Sequence, residues 1–235
     1  MNLDDLVARV DAAYARGDLP SWPPPRPEGA EVSEAEYSRV TDPAKYRVVH
    51  ARARAWAQVL GALPGVRVEE LGPVDGVRAD GTREPGRFSR GTRVASSRPG
   101  TLPLLLLEAD GGPTDHGPTV DLLQVAVASP EHALDEQPDC GCDACDFGSA
   151  DLLGAVDQEV VRVVGGPLVA LRGRDWSATW SPDAGGMTGE PRDDPRFRGR
   201  RGFSETMRAC RALAEGREVA LPRGTAAVVG RAWFE

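Results

Sequence analysis

The sequence contains no isoleucine, a single lysine (Lys45) and a single asparagine (Asn2). All three are encoded by AT-rich codons. Their scarcity reads as the mark of a GC-rich genome, so arginine standing in for lysine carries no evidence of phosphate binding. Long apolar runs are missing too. The longest, Leu102–Leu107, is broken by Pro103 and falls far short of the ~20 residues a membrane-spanning helix needs. The N-terminus, MNLDDLVARV, is acidic and amphipathic and lacks the basic, apolar and cleavage regions of a secretory signal. These absences predict a cytoplasmic protein with no membrane association. Its thiols then stay reduced unless they hold a metal or serve in redox chemistry.

Basic residues also vanish between Pro99 and Val161, a stretch that holds thirteen acids. The rest of the chain carries all 28 basic residues against 23 acidic ones, and the net charge is −8. Two readings follow. The halves neutralise each other in the fold, or the acidic half forms an anionic face that collects a cation or a basic partner. Both disfavour nucleic-acid binding. The five arginines between Arg192 and Arg201 are diluted by Glu190, Asp193 and Asp194, so that segment reads as a solvated loop or one docked on the acidic half.

What is present bounds the architecture. A chain of 235 residues, 40% hydrophobic and 27% charged, is neither mainly disordered nor membrane-embedded and fits one large domain or at most two small ones. The 27 glycines and 20 prolines imply many loops. Asn2 caps a first helix with Leu3, Leu6, Val10 and Tyr14 at helical spacing. Five prolines between Pro20 and Pro27 then enforce an extended connector, pinned by Trp22. Residues 1–32 thus read as an N-terminal helix and linker, and 33–235 as a single domain.

Ser33 and Glu36 have capping-box spacing. A helix opens at Asp42–Pro43, and Tyr46, Val49, Ala53, Trp56, Leu60 and Leu63 form its buried stripe. Arg47, Arg52 and Arg54 fall off the stripe and should be solvated, and His50 sits at its flank. Val66 and Val68 begin a strand, Gly72–Gly91 reads as a mobile loop or wide hairpin, and Arg93–Ser97 as a strand. Leu104–Leu107 and Leu122–Ala128 read as central strands. A helix from about Ala150 carries Leu152, Val156, Val160 and Val163. A hairpin at 168–180, a polar loop over Asp183–Gly202, a helix through Phe203, Met207, Cys210 and Ala214, and a closing strand over Ala226–Phe234 follow. Strand connections too short for repeated crossover helices predict an α+β fold, with a mainly antiparallel sheet and about four to five helices.

The chemistry concentrates in one loop. Asp139-Cys-Gly-Cys-Asp-Ala-Cys-Asp146 places Cys140, Cys142 and Cys145 within six residues. Cys142-x-x-Cys145 is the spacing with which two thiolates share one zinc ion while backbone amides face the sulfurs, and Cys140 supplies a third ligand. A structural zinc site wants a fourth. His132, upstream, is the first candidate; Asp139, Asp143 and Asp146 offer oxygens, and a water would leave the site open for catalysis. Cys210 lies on an apolar helical stripe and reads as a core thiol. A redox pair of Cys142 and Cys145 ahead of a helix, or a cysteine loop with neither metal nor redox role, stays open. Elsewhere, Asp110, Asp115, His116 and Asp121 could gather around a hard cation, but they lack calcium-loop spacing and turn formation accounts for them better. Tryptophans 176, 180 and 233 read as packing residues.

The CGCDACD run, followed by a helix carrying LL-x-x-VD and ending VVGG, resembles an uncharacterised bacterial domain-of-unknown-function family with a CxCDxCD motif. The resemblance extends from the Asp42–Pro43 helix start to the last helix. It implies no activity and transfers no catalytic residue. The expectation is a zinc-stabilised binding protein, taking a protein partner or small ligand at its acidic face. The alternative is an enzyme: a thiol oxidoreductase using Cys142 and Cys145, or a zinc hydrolase with an open metal position.

Overall fold

The computed structural model describes residues 2–27, 29–77, 82–112, 119–191 and 193–234. In chain order the described elements are α1 (Leu3–Tyr14), α2 (Val48–Gly61), β1 (Val66–Leu71), β2 (Val74–Val77), β3 (Arg83–Phe88), β4 (Arg90–Ser96), β5 (Leu104–Gly112) and β6 (Val120–Val127). They continue with β7 (Ala133–Gln137), α3 (Ser149–Gly165), β8 (Leu168–Arg172), β9 (Ser177–Trp180), β10 (Gly185–Thr188), α4 (Gly199–Ala214) and β11 (Ala226–Gly230). Short 3-10 turns lie at Glu34–Glu36, Pro43–Arg47, Asp143–Cys145 and Pro195–Phe197.

The two richest aliphatic runs become the middle of a five-stranded antiparallel sheet, ordered β1-β4-β5-β6-β7. Leu104 to Leu107 in β5, and every residue of β6 except Asp121, are buried, as strands covered on both faces require. Trp56 and Leu60 of α2, Leu6 and Val10 of α1, and Val156 and Val160 of α3 complete this core. A second antiparallel sheet, β10-β9-β8-β11, backs onto it. The alternation of β8 joins the two: Leu168 and Ala170 enter the first core, while Val169 and Leu171 enter a second with Trp176, Ala178 and Cys210. The fold is therefore α+β with antiparallel sheets, and Cys210 is a core thiol. No described helix is long and apolar enough to cross a membrane.

Several local expectations are corrected. Arg52 is buried, because its guanidinium joins three helices: it donates to Asp157 of α3 at 2.7 Å and to Asp11 of α1 at 2.7 Å, while Trp56 Nε1 donates to the same Asp157. Within 72–91, by contrast, β2 and β3 pair as an antiparallel ribbon, the hairpin alternative of the expectation. Ala133–Gln137 forms the edge strand β7, although its polar sequence reads as loop. Gly185–Thr188 forms β10 by pairing with β9, and α4 starts at Gly199, within the segment read as loop. His116 and Asp115 lie outside the described residues.

Candidate metal centre

The cysteine loop closes against β6 and α3, and glycines permit its path. Gly141 has φ +69°, the left-handed region that side chains avoid. Gly148, with φ +91°, passes so close to the proline connector that a Cβ there would meet Pro24 N at 2.8 Å. Between them Asp143–Cys145 makes one 3-10 turn. The sulfurs of Cys140, Cys142 and Cys145 consequently all lie within 4.8 Å of one another. Sulfurs on a tetrahedral zinc stand roughly 3.8 Å apart, from Zn–S bonds of about 2.3 Å, so the group spans the right space.

The three thiols are not equivalent. Burial pushes the Cys142 thiol up, but the Cys140 thiol at 3.1 Å, the Cys145 thiol and the backbone amides of Cys145 and Ala144 hydrogen-bond its sulfur and hold it below the ordinary value. Burial raises both Cys140 and Cys145. Cys142 is thus the most acidic of the three thiols, while Cys145 is exposed.

The aspartates of the motif are staples rather than spare ligands. Asp143 accepts from Arg39 Nε at 2.6 Å and from Thr41 N at 2.8 Å. These bonds outweigh burial and hold its carboxyl below the usual range. Asp146 accepts from Trp22 Nε1 at 2.9 Å and Gly148 N at 2.9 Å, and pairs with Lys45, with the same net direction. Arg26 donates to the carbonyls of Asp143 and Ala144, and the Tyr46 hydroxyl donates to the Gly141 carbonyl at 3.0 Å. The Lys45 ammonium also lies over the Trp22 and Tyr46 rings, at 5.1 and 5.2 Å from their centroids. Basic groups of the N-terminal segment thus meet acids of the 99–161 block. Arg87–Glu136, Arg90–Glu108 and Arg54–Glu108 repeat the pattern around the sheet. This is the mutual neutralisation that the charge distribution suggested. The arginine-rich loop is not docked through Arg196, which pairs with its neighbour Asp194.

The structure brings the three cysteines together and leaves His132 outside their group. His132 is buried in the turn between β6 and β7, with Nδ1 3.1 Å from Ser129 Oγ and Nε2 without a partner. Its burial holds the imidazole pKa below the ordinary value. Asp139 is exposed beside Cys145 and is not engaged as Asp143 and Asp146 are.

Beside the loop lies a cleft of about 700 Å³, walled by β6, β7, the β2–β3 ribbon and the β9–β10 hairpin. Leu122, Leu134, Ala178 and Met187 give it apolar patches. Glu84, Asp135, Glu136 and Asp139 face it against one cation, Arg87, and Cys140 sits on its edge. Burial raises the carboxyls of Asp135 and Glu136. Sequence reasoning missed this cleft because its walls come from segments far apart in the chain.

Fold and site together define an α+β protein with antiparallel sheets and a three-thiol loop beside an acidic cleft. The chain belongs to a family of unknown function, DUF6226, whose model matches residues 10–235. No curated protein and no solved structure matches it.

Proposed function

We propose that Cys140, Cys142 and Cys145 hold one zinc ion and that the protein is a zinc-stabilised binding protein. The observation that carries this reading is the sulfur group itself, three thiols whose sulfurs all lie within 4.8 Å of one another, the donor set that suits zinc. Zinc supplies a closed tether for a loop that otherwise relies on the N-terminal segment, and its binding free energy adds to that of folding. Asp139, exposed and not held by the staples that engage Asp143 and Asp146, is the candidate oxygen donor for the fourth position; His132 serves only if the β6–β7 turn moves. The ligand is cationic, because four carboxylates face the cleft against one arginine. A basic side chain of a partner or a small amine meets that requirement, and exposed Phe147 on the cysteine loop offers an apolar contact beside it.

A second reading has its own support. Cys140 borders the cleft and Cys145 is exposed, so a water in the fourth position would face a substrate-sized space, the arrangement of a zinc hydrolase. A thiol oxidoreductase would instead use Cys142 as the low-pKa nucleophile and Cys145 as its partner.

Metal analysis and thiol titration of untagged protein, purified without chelator, test these readings. One zinc per chain, with thiols that react only after chelation or unfolding, is the expected result. Metal-free protein with a reversible Cys142–Cys145 disulfide would replace it with the oxidoreductase. An exchangeable zinc-bound water would favour the hydrolase.

A further inference from the structure

On the other side of β6 the fold assembles a second group of metal-ligating side chains, from α2, β5 and β6. His50, Asp110 and Asp121 present ligand atoms that all lie within 4.8 Å of one another. Val120 packs under Gly141 of the cysteine loop and Leu122 lines the cleft. Asp121 lies between them and points to the opposite face. The pairing of β5 with β6 breaks its register between Ala109 and Gly112. Asp110 and Gly111 therefore stand opposite Asp121 in a bulge, a device that re-aims side chains. Gly111 takes φ +60° there and donates its N–H to Asp121 Oδ1 at 3.1 Å.

His50 gives this group its direction. The ring is 3% exposed, and Nε2 lies 2.8 Å from the Leu122 carbonyl oxygen. A carbonyl only accepts, so Nε2 donates to it and Nδ1 is the ring nitrogen left to meet other groups. Ligating histidines are held by such a backbone bond from the other ring nitrogen. Nδ1 faces Asp110 Oδ1 and Glu108 Oε2, each at 3.7 Å. Two carboxylates converging on a buried nitrogen draw a positive charge to the group. The Arg90 guanidinium supplies it, 3.4 Å from Nδ1 and forked onto Asp110. Both members of that fork are substantially exposed, at 41% and 52%, so solvent screens the pair and a better cation can displace the guanidinium. Glu108, Asp110 and Asp121 outnumber the arginines Arg90 and Arg54 at this point.

We propose that His50, Asp110 and Asp121 form a site for a divalent first-row cation, separate from the cysteine loop. One imidazole and two carboxylates suit Mn²⁺ and its neighbours, whereas three thiols suit zinc. The site does not depend on whether the cysteines hold metal. The test is titration of the full chain with Mn²⁺, followed by calorimetry and electron paramagnetic resonance. The variants are Asp121→Asn, Asp110→Asn and Cys142→Ser, with circular dichroism to establish that each is folded. Expected is one Mn²⁺ per chain, an affinity weakened by about tenfold or more in either aspartate variant, and unchanged Mn²⁺ binding in Cys142→Ser. The aspartate variants should keep the zinc content of the wild type. Absence of saturable Mn²⁺ binding would overturn the proposal, as would binding indifferent to both aspartates. Binding lost only in Cys142→Ser would assign the ion to the cysteines and overturn it as well.

Discussion

Cys142 and Cys210 are both buried thiols with opposite chemistry. Cys142 sits among hydrogen-bond donors that favour its anion, whereas burial in the second core pushes Cys210 up to about 12. Cys142→Ser should therefore lower metal content and melting temperature together. Cys210→Ala should leave metal content unchanged and cost about 1 kcal/mol through the small cavity it opens. Metal analysis beside thermal melts checks both, and a Cys142→Ser protein with wild-type zinc and stability would remove the metal loop.

Asp135 carries a prediction in pH. Burial raises its carboxyl above the ordinary value. A carboxyl that binds its proton more tightly in the fold favours folding at low pH and loses that contribution as pH rises through the folded pKa. Asp135→Asn should thus raise the melting temperature at pH 8 by roughly 2–4 °C, about 1 kcal/mol in a chain of this size, and the gain should vanish below about pH 4. An equal gain at both ends of the range would show that the charge is not the source. At this scale the sequence displayed the cysteines, because three thiols in six residues stand out locally. It concealed the roles of Asp143 and Asp146, whose partners Arg39, Thr41, Trp22 and Lys45 lie about a hundred residues upstream.

At the scale of elements, helical periodicity located α1, α2, α3 and α4, and continuous apolar runs located β5 and β6. Periodicity says nothing of a polar strand held by its neighbour, which is why β7 and β10 looked like loop. It also misjudged Arg52, because an arginine off the apolar stripe of α2 is solvated only if no other helix covers it. Here α1 and α3 do, and the guanidinium binds Asp157 and Asp11. Truncation to Arg52→Ala would leave Asp157 with Trp56 alone in a nearly closed setting, a loss of about 3 kcal/mol by analogy with broken buried pairs. Denaturant melts check this, and Arg52→Ala with Asp157→Ala should cost less than the sum of the two single changes. Additive costs would mean the pair contributes nothing beyond packing.

At the scale of the whole molecule, the N-terminal segment and the cysteine loop hold each other. Leu6 and Val10 are fully buried in the main core, and the proline connector delivers Trp22 onto Asp146 and Arg26 onto the Asp143 and Ala144 carbonyls. Ser149 N, at the start of α3, donates to the Trp22 carbonyl at 3.0 Å. The loop is thereby clamped at both ends of its 3-10 turn by residues read from sequence only as a surface connector. The proposed zinc tether would act on the same backbone as this clamp, so the two should be coupled. Trp22→Ala removes the indole donor to Asp146 and the edge-on contact with Tyr46, whose centroids lie 6.3 Å apart. It should cost about 2 kcal/mol, or roughly 4–8 °C, and should speed zinc release to a competing chelator although no ligand has changed. Chelator-release kinetics on wild type and Trp22→Ala decide the point. A melting temperature that falls while release stays at the wild-type rate would mean that the clamp stabilises the fold without shaping the metal centre. Faster release would mean that the connector sets the geometry in which the three sulfurs meet.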